Sequence, residues 1–135
     1  GFFEIKLMAP PKVLVNVDEE MIRIGFRNLI SNAIKFAKNG TPIQIKINKN
    51  DQNRVVISVT NYGEPLPPEI VDKLFTYQMT STVDSKGEKG TGLGLAMTAF
   101  FVRLNGGEIY LGPLEDGTIT FCIEIPEATQ QPALV

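Results

Sequence analysis

The chain has no histidine, and this absence removes more chemistry than any other feature of its composition. Without an imidazole it cannot form a Ser-His-Asp triad or a His-based metal site. Its single cysteine, Cys122, excludes an internal disulfide. With no histidine to activate it, that thiol reads as core packing in an apparent strand and not as a nucleophile. No apolar run is long enough to span a bilayer, and no signal peptide is visible. A net charge of −2 leaves no broad basic face for nucleic acid.

What remains is an ordinary globular balance, 43% hydrophobic and 21% charged, over 135 residues, enough for one domain with a real core. The chain begins at Gly1 and not at Met, so it reads as a piece of a longer protein. Residues 127–135 carry no pattern and read as a frayed tail after a domain at 1–126.

The strongest local feature is GEKGTGLGL at 87–95, four glycines leading into an apolar run. A glycine loop that opens a helix offers unpaired N–H groups and a favourable dipole to an anion. Alone it is ambiguous: it fits neither the P-loop nor the dinucleotide fingerprint, and a flexible loop before a helix is the plainer alternative.

Periodicity and turn chemistry supply the frame. Residues 2–8 and 12–17 read as two short strands around Pro10 and Pro11. Asp18 caps a long helix that Gly40 stops. Alternation at 43–49 and 54–60 predicts a hairpin turning at 50–53. Residues 61–68 hold three prolines and read as irregular, a short helix follows at 67–75, and 76–89 reads as a mobile loop. A second helix runs over 93–104, and a hairpin pairs 108–111 with 118–125. The order predicts an α+β fold, a two-layer sandwich with a mixed, mostly antiparallel sheet and about three helices on one face.

The first helix has more polar surface than an amphipathic helix needs. Ile22, Phe26, Leu29, Ile30, Ala33 and Ala37 form an apolar stripe. Asn28, Asn32, Lys35 and Asn39 form a second stripe, and Arg23, Arg27, Ser31 and Lys38 a third, solvated one. Asparagine is a mediocre helix former, so two of them one turn apart suggest an amide wall. Chance surface polarity is the alternative. Amide oxygens suit Mg²⁺, which shares its coordination with substrate phosphates, and Lys35 offers a point charge to phosphate.

With these two elements in place, the chain resembles the ATP-binding catalytic domain of bacterial sensor histidine kinases, in the GHKL superfamily with its Bergerat-type ATP fold. RNLISNAIKFAKNG (27–40) is similar to the N box, NYGEPLPPEI (61–70) to the first glycine box and KLFTYQMT (73–80) to the F box. GEKGTGLGLA (87–96) is similar to the second glycine box, and 105–126 to the closing hairpin.

The resemblance implies Mg-ATP as ligand, with Asn32 holding Mg²⁺, Asn28 and Lys35 supporting metal and phosphates, and Phe36 beside the adenine or in the core. It implies that Asn61 and Gly63 meet the base. It also implies that Gly90, Thr91, Gly92, Leu93, Gly94 and Leu95 close over the phosphates, with 76–89 as the lid. The implied activity is transfer of the γ-phosphoryl to a histidine on a separate dimerisation and phosphotransfer domain of the same parent. The implied parent is a homodimer signalling to a response regulator from the cytoplasm, with any membrane anchor outside these residues.

Asn28 stands where ATP-hydrolysing relatives and the serine kinases carry a Glu general base, and an amide accepts no proton at neutral pH. Three positions depart from the family: Asn61 replaces an Asp that accepts from the adenine amino group, Pro65 replaces a glycine, and Gln78 replaces an aromatic. These departures motivate two other readings, a degenerate nucleotide-sensing or docking module and a serine kinase. The second helix is apolar nearly all round, so one side meets the sheet and the other is a docking patch or a second core contact.

Overall fold

A computed structural model of the chain describes residues 4–9, 13–76, 93–113, 115 and 117–128. The expected strand at 2–8 appears as β1 (Ile5–Met8), followed by α1 (Glu19–Phe36), β2 (Ile43–Lys49), β3 (Arg54–Tyr62), α2 (Pro68–Val71), α3 (Leu93–Leu104), β4 (Glu108–Leu111) and β5 (Thr118–Pro126). The five strands form one sheet in the order β1-β2-β3-β5-β4. Only the β1–β2 pair is parallel, so the sheet is mixed and mostly antiparallel.

Alternation along the strands decides which face is covered. Val55, Val59, Ile119, Phe121, Ile123 and Ile125 point to one side and join Leu29, Ala33, Ala99 and Val102 of the helices in a single core. Leu74 and Phe75, just beyond α2, meet the same face, and the Phe75 ring stands edge-on to Phe121 at 6.1 Å. The result is the expected two-layer α+β sandwich.

α1 starts as expected: Asp18 Oδ1 accepts from Met21 N at 2.9 Å. Its buried line is Gly25, Leu29 and Ala33. α3 crosses close to Gly25: a Cβ there would lie 3.1 Å from Thr98 Cγ2. Ile22, Phe26 and Ile30 sit at the flank of the core. Phe26 and Ile30 also line a surface groove with Ile34, Arg23, Arg27 and Ser31.

Four expectations need correction. First, 12–17 is not a strand: within its described part, 13–17, only Val15 bridges, to Glu127, while Val13, Val15 and Val17 pack on the core as an extended segment. Second, α1 ends at Phe36 with Ala37 already extended, four residues before Gly40, so Asn39 leaves the amide stripe. The cause is tertiary: Lys38 N donates to Tyr62 O at 2.8 Å and Ala37 is buried. Third, β3 runs through Asn61 and Tyr62, which β5 pairs opposite Ile119 and Thr118, so the irregular segment starts at Gly63. Fourth, α2 is only four residues long, and turns carry the chain from there to Phe75. The tail is anchored further than expected: Glu127 N donates to Asn53 O and Ala128 N to Leu14 O.

Candidate functional site

α1 meets the start of α3 at one point and the end of β3 at another. Asn28 makes the first of these contacts. Its Nδ2 donates to Gly94 O at 3.3 Å and to Thr98 Oγ1 at 3.2 Å. A carbonyl oxygen only accepts, so the amide nitrogen must be the end of Asn28 that faces Gly94. Thr98, wholly buried at 0% exposure, completes the junction by donating its own hydroxyl to Gly94 O at 2.7 Å. A carboxylate at position 28 would face that carbonyl with no hydrogen to offer. The fold therefore supplies its own reason for an amide here.

Asn32 lies one turn beyond Asn28 and is half-buried, as is Lys35. The Lys35 ammonium stands 5.5 Å from the centre of the Phe36 ring. Phe36 is the last residue of α1 and is half-buried. Its carbonyl meets the end of β3 closely: a Cβ on Gly63 would lie 2.6 Å from Phe36 O and 3.1 Å from Asn61 Nδ2. Gly63 N donates to Gly117 O at 3.1 Å, tying this corner to the closing hairpin.

Asn61 is buried at 1% exposure, on the helix side of the sheet in line with Val55 and Val59. Its Nδ2 has no hydrogen-bond partner among the described residues. A buried donor left unpaired costs about 1–3 kcal/mol, so it requires an explanation.

The expected site residues therefore divide. Asn28, Asn32, Lys35 and Phe36 lie along α1, with Gly94 at the Asn28 contact and Asn61 and Gly63 at the Phe36 contact. Leu95 is a core side chain, which leaves only its backbone for a ligand. Gly90, Thr91, Gly92, Gln78 and the expected lid from 77 onward lie outside the described residues, as does the side chain of Leu93. Sequence reasoning missed Thr98 and Gly25. Thr98 carried a signal, the lone hydroxyl in an apolar helix four residues after a glycine, a spacing at which Ser and Thr bond back to the helix carbonyl.

The fit to a divalent cation rests on donor chemistry. No cluster of acidic, histidine or cysteine residues that could hold a metal by itself occurs among the described residues. Asn32 offers a hard amide oxygen, which suits Mg²⁺ only where phosphate oxygens supply most of the shell. The two perturbed ionisable groups among the described residues lie elsewhere, on the outer face of the sheet. Burial, then the Glu124 carboxylate, pushes the Cys122 thiol above its ordinary range, which keeps it protonated and inert. Burial does the same to Tyr110, its cross-strand neighbour.

Residues 17–129 match the family described as histidine kinase-, DNA gyrase B- and HSP90-like ATPases. The chain belongs to this family. The domain is 34% identical over 124 residues to the sensor protein VanSC of Enterococcus gallinarum, covering 90% of this chain and 33% of that protein. It is 29% identical over 129 residues to the sensor histidine kinase WalK of Bacillus subtilis, covering 94% of this chain and 21% of that one. The catalytic domain of histidine kinase ThkA, solved without nucleotide, superposes with a TM-score of 0.75 at 28% identity, over 93% of this chain and 78% of that one. Full-length ShkA in complex with AMPPNP superposes at 0.76 with 26% identity, over 96% of this chain and 27% of that one. The domain is thus a sensor-kinase-type ATP-binding domain, a third or less of the length of the curated relatives it matches. No helix among the described residues is long and apolar enough to cross a membrane.

Proposed function

We propose that this domain binds Mg-ATP and transfers the γ-phosphoryl to a histidine on a dimerisation domain of a two-component sensor kinase. The observation that carries the reading is the Asn28 junction, where one amide fastens the amide-bearing helix to the helix that follows the glycine segment. That junction supports a site in which Asn32 and Lys35, further along the same helix, act with the backbone at Gly94.

Mg²⁺, when bound, would neutralise phosphate charge, with Asn32 Oδ1 as the protein ligand. Lys35 supplies a cation to the phosphates, Gly94 a backbone N–H at a helix start, and Asn61 a polar contact for the base. In the transfer, an imidazole nitrogen forms a bond to the γ-phosphorus while the bond to the bridging oxygen breaks and ADP leaves. The domain contributes positioning and charge neutralisation and does not act as a base. Asn28 supports this assignment over a hydrolase, because an amide bound to Gly94 and Thr98 activates no water. The absence of histidine means that the acceptor belongs to another domain.

The test is transfer of labelled phosphate from ATP to an added dimerisation domain, with Asn32→Ala alongside. An acid-labile, alkali-stable phosphoamino acid is expected, and it disappears in the variant. Acid-stable phosphoserine on the acceptor would favour a serine kinase. Nucleotide binding without any transfer would favour a degenerate sensing or docking module.

A further inference from the structure

We propose that Asn61 makes this site tolerant of 6-oxopurine nucleotides, so that it binds GTP and ITP alongside ATP. The inference rests on the nucleotide-site reading above and specifies the base.

Asn61 cannot turn away from the site. It is held in β3, where β5 pairs it with Ile119, and the next residue, Tyr62, is paired with Thr118. Its side chain points to the helix layer and is buried. The neighbouring Gly63 lies against it, where a Cβ would stand 3.1 Å from Nδ2 and 2.6 Å from Phe36 O. In this enclosed corner Nδ2 carries two hydrogens and meets no acceptor among the described residues. An unpaired buried donor is matched by a ligand atom that accepts.

The two purine classes differ in what they bring. A 6-aminopurine presents N–H donors at C6, whereas a 6-oxopurine presents a carbonyl acceptor there. A carboxylate at this position only accepts, so it favours the amino group and opposes the carbonyl. An amide carries both an acceptor and a donor, and rotation about its terminal bond exchanges them. No acceptor among the described residues pins Nδ2, so those residues do not fix which end faces the base. Asn61 Oδ1 can accept from a 6-amino group, and Nδ2 can donate to a 6-oxo group. The neutral amide also forms a weaker bond to the amino group than a carboxylate would, which narrows the gap from the other side.

The experiment is titration of the 135-residue chain with Mg-ATP, Mg-GTP and Mg-ITP, followed calorimetrically, and the same series on Asn61→Asp. ITP isolates the C6 group, because it lacks the 2-amino group of GTP. In the native chain the affinities for ATP and ITP should agree within about tenfold, the range of one ordinary hydrogen bond. In Asn61→Asp, ITP and GTP should weaken by about tenfold or more relative to ATP, because two acceptors then face each other. A native preference for ATP over ITP of about a hundredfold or more, or an unchanged ratio in the variant, overturns the proposal and leaves the proposed function standing. Failure of all three nucleotides to bind removes both. If Asn61→Asp does not fold, the native ATP-to-ITP ratio decides by itself.

Discussion

Asn28 and Asn61 are the same residue type on two elements that both pack in the one core, α1 and β3. The fold treats them oppositely. Asn28 spends its amide hydrogens on Gly94 and Thr98, 66 and 70 residues away in the chain. Asn61 is more deeply buried and leaves its amide nitrogen without a partner among the described residues. The difference separates two uses of a buried amide. One holds two helices together and belongs to the architecture. The other is an unmet hydrogen-bonding demand, a cost that folding alone does not explain.

The largest expected effect falls on the asparagine between them. Asn32→Ala should lower phosphoryl transfer by about 100-fold or more, since even residues that merely support metal ligands cost 10–100-fold. Its folding midpoint in denaturant should stay near that of the native chain, because Asn32 is half-buried on α1. Unchanged transfer would remove Asn32 from the site and leave the contrast without its functional centre.

Next is Gly63→Ala, which drives a Cβ to within 2.6 Å of the Phe36 carbonyl, a backbone atom that cannot swing aside. Unfolding by urea should show a loss of about 1–3 kcal/mol, the usual cost of overpacking. Nucleotide affinity should fall with it, because the same shift moves Asn61.

Replacing each asparagine sharpens the comparison directly. Asn28→Asp sets a carboxylate against Gly94 O and should cost about 1–3 kcal/mol of stability in the absence of any ligand. Asn61→Leu removes, at similar volume, a donor that no described residue pairs, so the unliganded chain should be unchanged or more stable by up to about 1 kcal/mol, while nucleotide binding weakens by about tenfold. If Asn61→Leu destabilises as much as Asn28→Asp does, the two amides play the same role and the contrast fails.

The smallest effect provides a control on the far face of the sheet. Burial raises the Cys122 pKa in the folded state, so the thiol favours the native chain while the unfolded thiol is still protonated. That contribution is complete below the unfolded thiol's pKa of about 8.5 and is lost as pH rises from there through the folded value. Cys122→Val should flatten the alkaline decline in melting temperature and leave nucleotide binding as it was.

Much of this was legible beforehand. The hairpins at 43–60 and 108–125, the Asp18 cap and the one-sided sandwich followed from alternation, turn residues and capping chemistry, all of which act over a few residues. What misled was local signal without its tertiary partner. The alternation of Val13, Val15 and Val17 resembles a strand, yet those side chains pack on the core with only a single bridge, Val15 to Glu127. Gly40 looked like the helix stop, but Tyr62 O captures Lys38 N first. Prolines at 65, 67 and 68 made 61–68 look irregular, although β5 extends its partner through Tyr62.

By itself, the sequence determined the family, the absence of histidine, the two hairpins and the cluster of amides on α1. These depend on residue identity and on spacings within a turn or a hairpin. Only the tertiary structure decided that Asn28 is satisfied by α3, that Asn61 is buried in the sheet with a donor that no described residue pairs, and that α1 stops at Phe36. The reason is physical: whether a buried polar group is satisfied depends on atoms tens of residues away, and only packing of α1 against α3 and of β3 against β5 brings those atoms within hydrogen-bonding reach.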